Sequence, residues 1–202
     1  INIMPEQGDA FQQTLKTAGV GRYDWYPMIR GRLVAINGKA VEEGSYVDER
    51  AQRLVEREFN LSNSAVQPPH NLVVAGEWKE GEAGAISVED GLAKTLGLKL
   101  GDQLRFDMGG VQSEARITSL RKVDWGSLHA NFFVMYPVDA MPDVAITYLA
   151  AYRAPETPGF DNALVRRFPN VTNVDMGATL AQIQGVLDQV IRAVEFLFAF
   201  TL

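Results

Sequence analysis

The chain has 202 residues, 47% of them hydrophobic and 22% charged, which excludes a disordered segment and leaves enough apolar mass for one large domain or two small ones. A net charge of −6 argues against a nucleic-acid partner, because a phosphate-binding surface needs clustered Lys and Arg to release counterions. With no cysteine, the chain builds neither a disulfide framework nor a thiolate metal site.

In chain order, Ile1 to Pro5 reads as a short apolar strand. Phe11, Leu15 and Ala18 at helical spacing predict a helix over 6–18, stopped by Gly19. Met28 to Ile36 reads as a second strand, and Asn37-Gly38 fits the tight hairpin turn whose two central residues need positive φ. Ala51, Leu54, Val55 and Phe59 share one side of a predicted helix over 48–59. A loop rich in Ser, Asn and Pro follows over 61–71, then a strand over 71–76 and a polar turn over 80–84.

Ser87 and Asp90 have the spacing of a capping box, with Val88, Leu92 and Leu96 as the buried stripe and Gly97 as the stop. Leu104, Phe106 and Met108 alternate with polar residues, which predicts a half-buried strand over 103–108 after the Gly101-Asp102 turn. The chain then turns over 107–110 and pairs back over 111–123, and a further strand over 131–136 is closed by Pro137. A strand over 146–153, a helix over 161–168 ended by Pro169, and a strand over 171–176 repeat the opening β-α-β pattern. Two such units flanking a β-rich insertion predict a split β-α-β sheet, with the smaller of two subdomains assembled from both ends of the chain.

One long helix is expected from Thr179 to Leu202, with Leu180, Ile183, Val186, Leu187, Val190, Ile191 and Val194 apolar. After Glu195 only Thr201 is polar. The run is shorter than the roughly 20 apolar residues that span a bilayer. Composition leaves open the first turns of a membrane helix or a buried terminal helix. The start at Ile1, without a signal-peptide pattern, reads as a fragment of a longer chain.

Catalytic patterns are scarce. His70 and His129 are the only histidines; both read as ordinary loop or surface residues, and a metal site would have to be assembled from distant parts of the chain. Gly126-Ser127 lacks the frame of a nucleophile elbow, so a hydrolase would need Ser127 beside one of the two histidines. Gly19-Val20-Gly21 lacks the remaining features of a nucleotide loop. Adjacent carboxylates such as Glu42-Glu43 and Glu89-Asp90 diverge on a helix or a strand and make no acid/base pair. The basic pairs Arg121-Lys122 and Arg166-Arg167 read as solvated faces. Trp25, Trp78 and Trp125 sit beside charges, either lining a ligand groove or covering the core at its rim.

Several strings carry a family resemblance: Tyr26-Pro27-Met28, Arg30-Gly31-Arg32-Leu33, Ile36-Asn37-Gly38 and Arg57-Glu58-Phe59-Asn60-Leu61-Ser62. The pattern continues through Ile86-Ser87-Val88-Glu89-Asp90-Gly91, Leu96-Gly97-Leu98-Lys99-Leu100-Gly101-Asp102, Ser119-Leu120-Arg121-Lys122-Val123-Asp124-Trp125 and Asn131-Phe132-Phe133-Val134. Over nearly its whole length the chain resembles the YbbP-type permeases of the FtsX/MacB-like ABC transporter superfamily.

The resemblance implies an α+β periplasmic domain of a bacterial inner-membrane protein. It would comprise a split β-α-β porter-like subdomain (1–38 plus 143–178), a β-rich Sabre-like subdomain (39–142), and a stalk helix (179–202) leading into a transmembrane segment. Phe196, Leu197, Phe198 and Phe200 would mark the membrane boundary. A separate ABC ATPase subunit would hydrolyse ATP, so this chain would carry no catalytic or cofactor-binding residue and would transmit motion. The resemblance further implies hydrophobic or lipid-like substrates and a secreted esterase-type partner. The alternative is a free-standing periplasmic binding or chaperone module for apolar ligands.

Overall fold

A computed structural model describes residues 1–141 and 143–200. The fold is a mixed α+β one, and the chain separates into two compact units, Ile1–Phe160 and Asp161–Leu202.

The first unit opens with Ile3 in a single antiparallel bridge to Tyr148 rather than in a strand. Proline at the head of a short 3-10 turn, Pro5–Gln7, ends any extension there. Helix α1 (Gly8–Thr17) buries Phe11 and Leu15, close to the predicted helix. Strand β1 (Tyr23–Ile36) is longer than its sequence pattern announced. Pro27 has no N–H for a ladder and marks a strand boundary in a sequence, yet β1 runs straight through it. Up to Met28, β1 pairs only with β9 (Thr147–Tyr152); beyond it, β1 changes sheets and takes new partners. Asn37 (φ 50°) and Gly38 (φ 77°) supply the two left-handed residues of the hairpin into β2 (Lys39–Ala40).

Helix α2 (Glu49–Glu56) starts at Asp48, whose carboxylate accepts from the N–H groups of Arg50 and Ala51. It stops short of Phe59. The alternation of Phe59 and Leu61 has the period of a strand, and both enter β3 (Phe59–Asn63), which falls partly in the predicted loop. Strand β4 (Leu72–Gly76) follows, then β5 (Ala85–Glu89), buried at every position. Ser87 is therefore a strand residue and not a helix cap. That role passes to Glu89, which accepts from the N–H groups of Gly91 (2.9 Å) and Leu92 (2.6 Å) at the head of α3 (Asp90–Leu96). The short apolar run Ile86-Ser87-Val88 is shared by capping and buried-strand patterns, and the partners on both sides decide it. Gly97 (φ 70°) closes α3 in the left-handed conformation.

Strand β6 (Gln103–Met108) lies where its alternation places it, and β7 (Val111–Lys122) returns along it. Strand β8 (Val134–Tyr136) is shorter than its predicted span. The pairings close on themselves: β1 with β3, β3 with β8, β8 with β5, β5 with β7, β7 with β6, and β6 with β1. The β3–β8 and β5–β7 pairs are parallel, which a hairpin cannot produce. Closure leaves these strands with no open edge. Their inward side chains, among them Leu33, Leu61, Ile86, Val88, Phe106 and Ile117, form one buried cluster. Phe59 sets the local packing, edge-on to Phe106 at 6.3 Å and to Phe133 at 5.8 Å. The first half of β1 and β9 form a second small sheet. There Trp25 stacks on Tyr148 at 4.9 Å and meets Phe11 of α1 at 6.1 Å.

The second unit holds α5 (Met176–Phe200), preceded by α4 (Phe160–Arg167). No strand forms over 171–176. Val171 is buried and Val174 is 55% exposed, and their three-residue separation gives no period-2 face to pair.

Candidate functional site

At 1.5 Å per residue, the 25 residues of α5 reach about 37 Å. Val186, Leu187, Val190, Ile191, Val194 and Leu197 are between 44% and 66% exposed. Their spacing places them on one stripe of the helix. A covered Val, Leu or Ile gains about 1.5–3 kcal/mol, so the stripe holds a large unspent driving force for burial. Of the four residues expected at a membrane boundary, Leu197 is exposed, while the side chains of Phe196, Phe198 and Phe200 lie outside the described residues. Among the described residues no helix is long and apolar enough to cross a membrane.

The polar centre of the first unit is Arg121, which is completely buried and not on a solvated face as the basic pair predicted. Lys122, one position on along the strand, points the other way and is exposed. Arg121 Nε donates to Ser87 Oγ (2.9 Å), Nη1 to Asn71 Oδ1 (2.6 Å), and Nη2 to the carbonyl oxygens of Phe132 (2.9 Å), Phe133 and Ser87. One guanidinium thus ties β7 to β5, to the loop before β4 and to the segment leading into β8. Burial pulls its pKa down to about 10, while the nearby Glu89 carboxylate acts in the opposite direction. Arg121 therefore remains charged at neutral pH. Its role is structural, since every group it touches belongs to the framework.

Ser127 Oγ donates to the Asp124 carbonyl at 2.7 Å and accepts from Asn131 Nδ2 at 3.2 Å. The His129 ring instead meets Asp24, its Nδ1 lying 3.0 Å from Oδ2. Asn131 Nδ2 also donates to the His129 carbonyl at 3.2 Å, so the two residues share that amide through the His129 backbone, while among the described hydrogen bonds Ser127 Oγ meets neither imidazole. The two histidines do come together, stacked at 4.4 Å with 10° between the rings. Asp24 on β1, His70 between β3 and β4, and His129 between β7 and β8 form one cluster, with one candidate ligand atom from each within 4.8 Å of the others. Sequence spacing carries no sign of this cluster, because three separate segments supply it. The tryptophans serve as covers: Trp78 Nε1 donates to the Ala65 carbonyl at 2.8 Å, and half-exposed Trp125 leans on Phe133 at 4.7 Å. A shallow groove of ≈ 380 Å³ has a mixed lining, with Glu77, Lys79, Glu82 and Arg116 beside Leu100 and Ile117.

No family model matches the chain. Among curated proteins, it is 39% identical over 184 residues to the uncharacterized ABC transporter permease YbbP of Escherichia coli (strain K12). The match takes in 91% of this chain and 22% of the relative, so the chain spans about a fifth of that protein's length. Among solved structures, a domain ascribed to a permease protein from Porphyromonas gingivalis aligns at TM-score 0.36 and 15% identity, over 77% of this chain and 68% of that one. A TM-score of that size defines no shared fold. Over nine-tenths of its length, the chain is related by sequence to the YbbP-type ABC transporter permeases that its motifs resemble.

Proposed function

We propose that this chain forms a periplasmic domain of an ABC transporter permease, carried on α5 and moved by it. The observation behind the proposal is the apolar stripe of α5, from Val186 to Leu197, in a chain related to a permease segment. A helix this long transmits displacement along its axis, because its backbone hydrogen bonds are internal and its rise is fixed. Phe196, Leu197, Phe198 and Phe200 would lie where it meets the bilayer of the inner membrane. A separate ATPase subunit would supply the energy, since a permease of this type works with one. The split into a porter-like part (1–38 plus 143–178) and a Sabre-like part (39–142) extends the proposal. In its favour, β1 up to Met28 pairs with β9 in a small sheet drawn from both segments of the porter-like part, although β1 enters the barrel before Gly38. Handling of hydrophobic or lipid-like substrate, and an esterase-type partner, rest on the family resemblance alone.

Hydrogen exchange of the first unit in the full-length permease, reconstituted with its ATPase, tests the coupling. ATP binding should change exchange in residues 1–160, and Val190→Pro, which breaks the helix, should abolish that change. Exchange that ignores nucleotide in the parent, or responds equally in Val190→Pro, would overturn the proposal.

A further inference from the structure

We propose that Asp24, His70 and His129 form a binding site for a zinc-type divalent transition-metal ion. Two imidazoles and one carboxylate make a mixed nitrogen and oxygen set suited to borderline ions, with three protein ligands and a fourth position for water. One candidate ligand atom from each residue already lies within 4.8 Å of the others. Ligand atoms around a tetrahedral zinc, at about 2.0–2.1 Å from the metal, stand roughly 3.3 Å apart. Because the two imidazoles stand stacked at 10°, closing the set requires one ring, the exposed His129, to turn out of the stack so that both lone pairs converge.

The surroundings match those of a metal-bound histidine. His70 Nε2 lies 2.8 Å from the Ala130 carbonyl, an acceptor only, so this nitrogen carries the proton. That fixes the tautomer and leaves Nδ1 with its lone pair free, as a backbone carbonyl does behind a ligating imidazole. Nδ1 of His70 is buried and has no hydrogen-bond partner, a costly state for a polar atom unless a ligand completes it. Asp24 Oδ2 is oriented in turn by the Ala130 N–H at 2.8 Å. Tyr26 stands edge-on to His70 and to Phe132, an aromatic wall on one side. A bound ion would tie β1, in its stretch paired with β9, to the two histidine-bearing loops.

Composition makes the test clean. The chain has no cysteine and no third histidine, so histidine-dependent binding of a borderline metal localises to this cluster. Tag-free protein is titrated with Zn(II) by calorimetry and with Co(II) by visible absorption, alongside His70→Ala, His129→Ala and Asp24→Asn. The expected result is one saturable site per chain, d–d bands of a low-symmetry Co(II) complex, and affinity weakened at least ~10-fold in each histidine variant. His129 is 53% exposed at its side chain, so His129→Ala keeps its fold and carries the test even if His70→Ala does not. Absence of saturable binding in the parent, or binding unchanged in His129→Ala, would overturn the assignment and leave an ordinary Asp24–His129 hydrogen bond.

Discussion

Leu61, Ile86 and Val88 of the barrel have no exposed surface, whereas Val186, Leu187, Val190 and Ile191 of α5 are 54–60% exposed. Both groups consist of the same kinds of apolar side chain. In the barrel, closure of the strand ring supplies neighbours on every side, and even the Arg121 charge is wrapped in acceptors. In α5, these four side chains remain about half exposed. The first unit thus buries its apolar side chains within itself, whereas these residues of α5 keep much of their surface open.

Substitutions in the two regions should then behave oppositely. The largest loss is expected for Arg121→Met. It strips partners from Asn71 Oδ1 and the Phe132 carbonyl and leaves buried Glu89 without its neighbouring charge, a cost of about 3–5 kcal/mol. Chemical denaturation followed by far-UV circular dichroism would show it. Gly76→Ala comes next, because Gly76 has φ 69° and its missing Cβ faces the Thr118 carbonyl on β7. Left-handed strain and the backbone clash together should cost about 2–3 kcal/mol in the same assay. Glu89→Ala removes the cap of α3, for which about 1–2 kcal/mol is expected. Val190→Asp should fall within about 0.5 kcal/mol of the parent chain. A destabilisation of 2 kcal/mol or more by Val190→Asp, on the order of a buried-site substitution, would erase the contrast.

How much of this was legible in the sequence varies with the range of the interaction. Local rules placed the Asn37-Gly38 turn, β6 and the Gly97 stop, because each is set by residues within a few positions. Phe59 and Ser87 were misplaced for one physical reason. Each sits at the join of a helix and a strand, and its side is decided by distant partners: Phe106 for the first, Arg121 for the second. Solvation of Arg121 could not be read from its neighbour Lys122, since strand geometry sends adjacent side chains to opposite faces. The Asp24, His70 and His129 cluster left no trace for a similar reason, being created by the fold from three segments. The stripe of α5 was readable because helical spacing alone defines it, although spacing says nothing about what covers it.

Single-cysteine labelling of the intact permease tests most directly whether α5 runs from water to the bilayer. This segment contributes no native cysteine, so the probe needs replacement only of cysteines elsewhere in the protein. A membrane-impermeant maleimide should label Asp188→Cys readily, and Leu197→Cys only after detergent is added. Equal labelling of both positions in intact membranes would contradict the account.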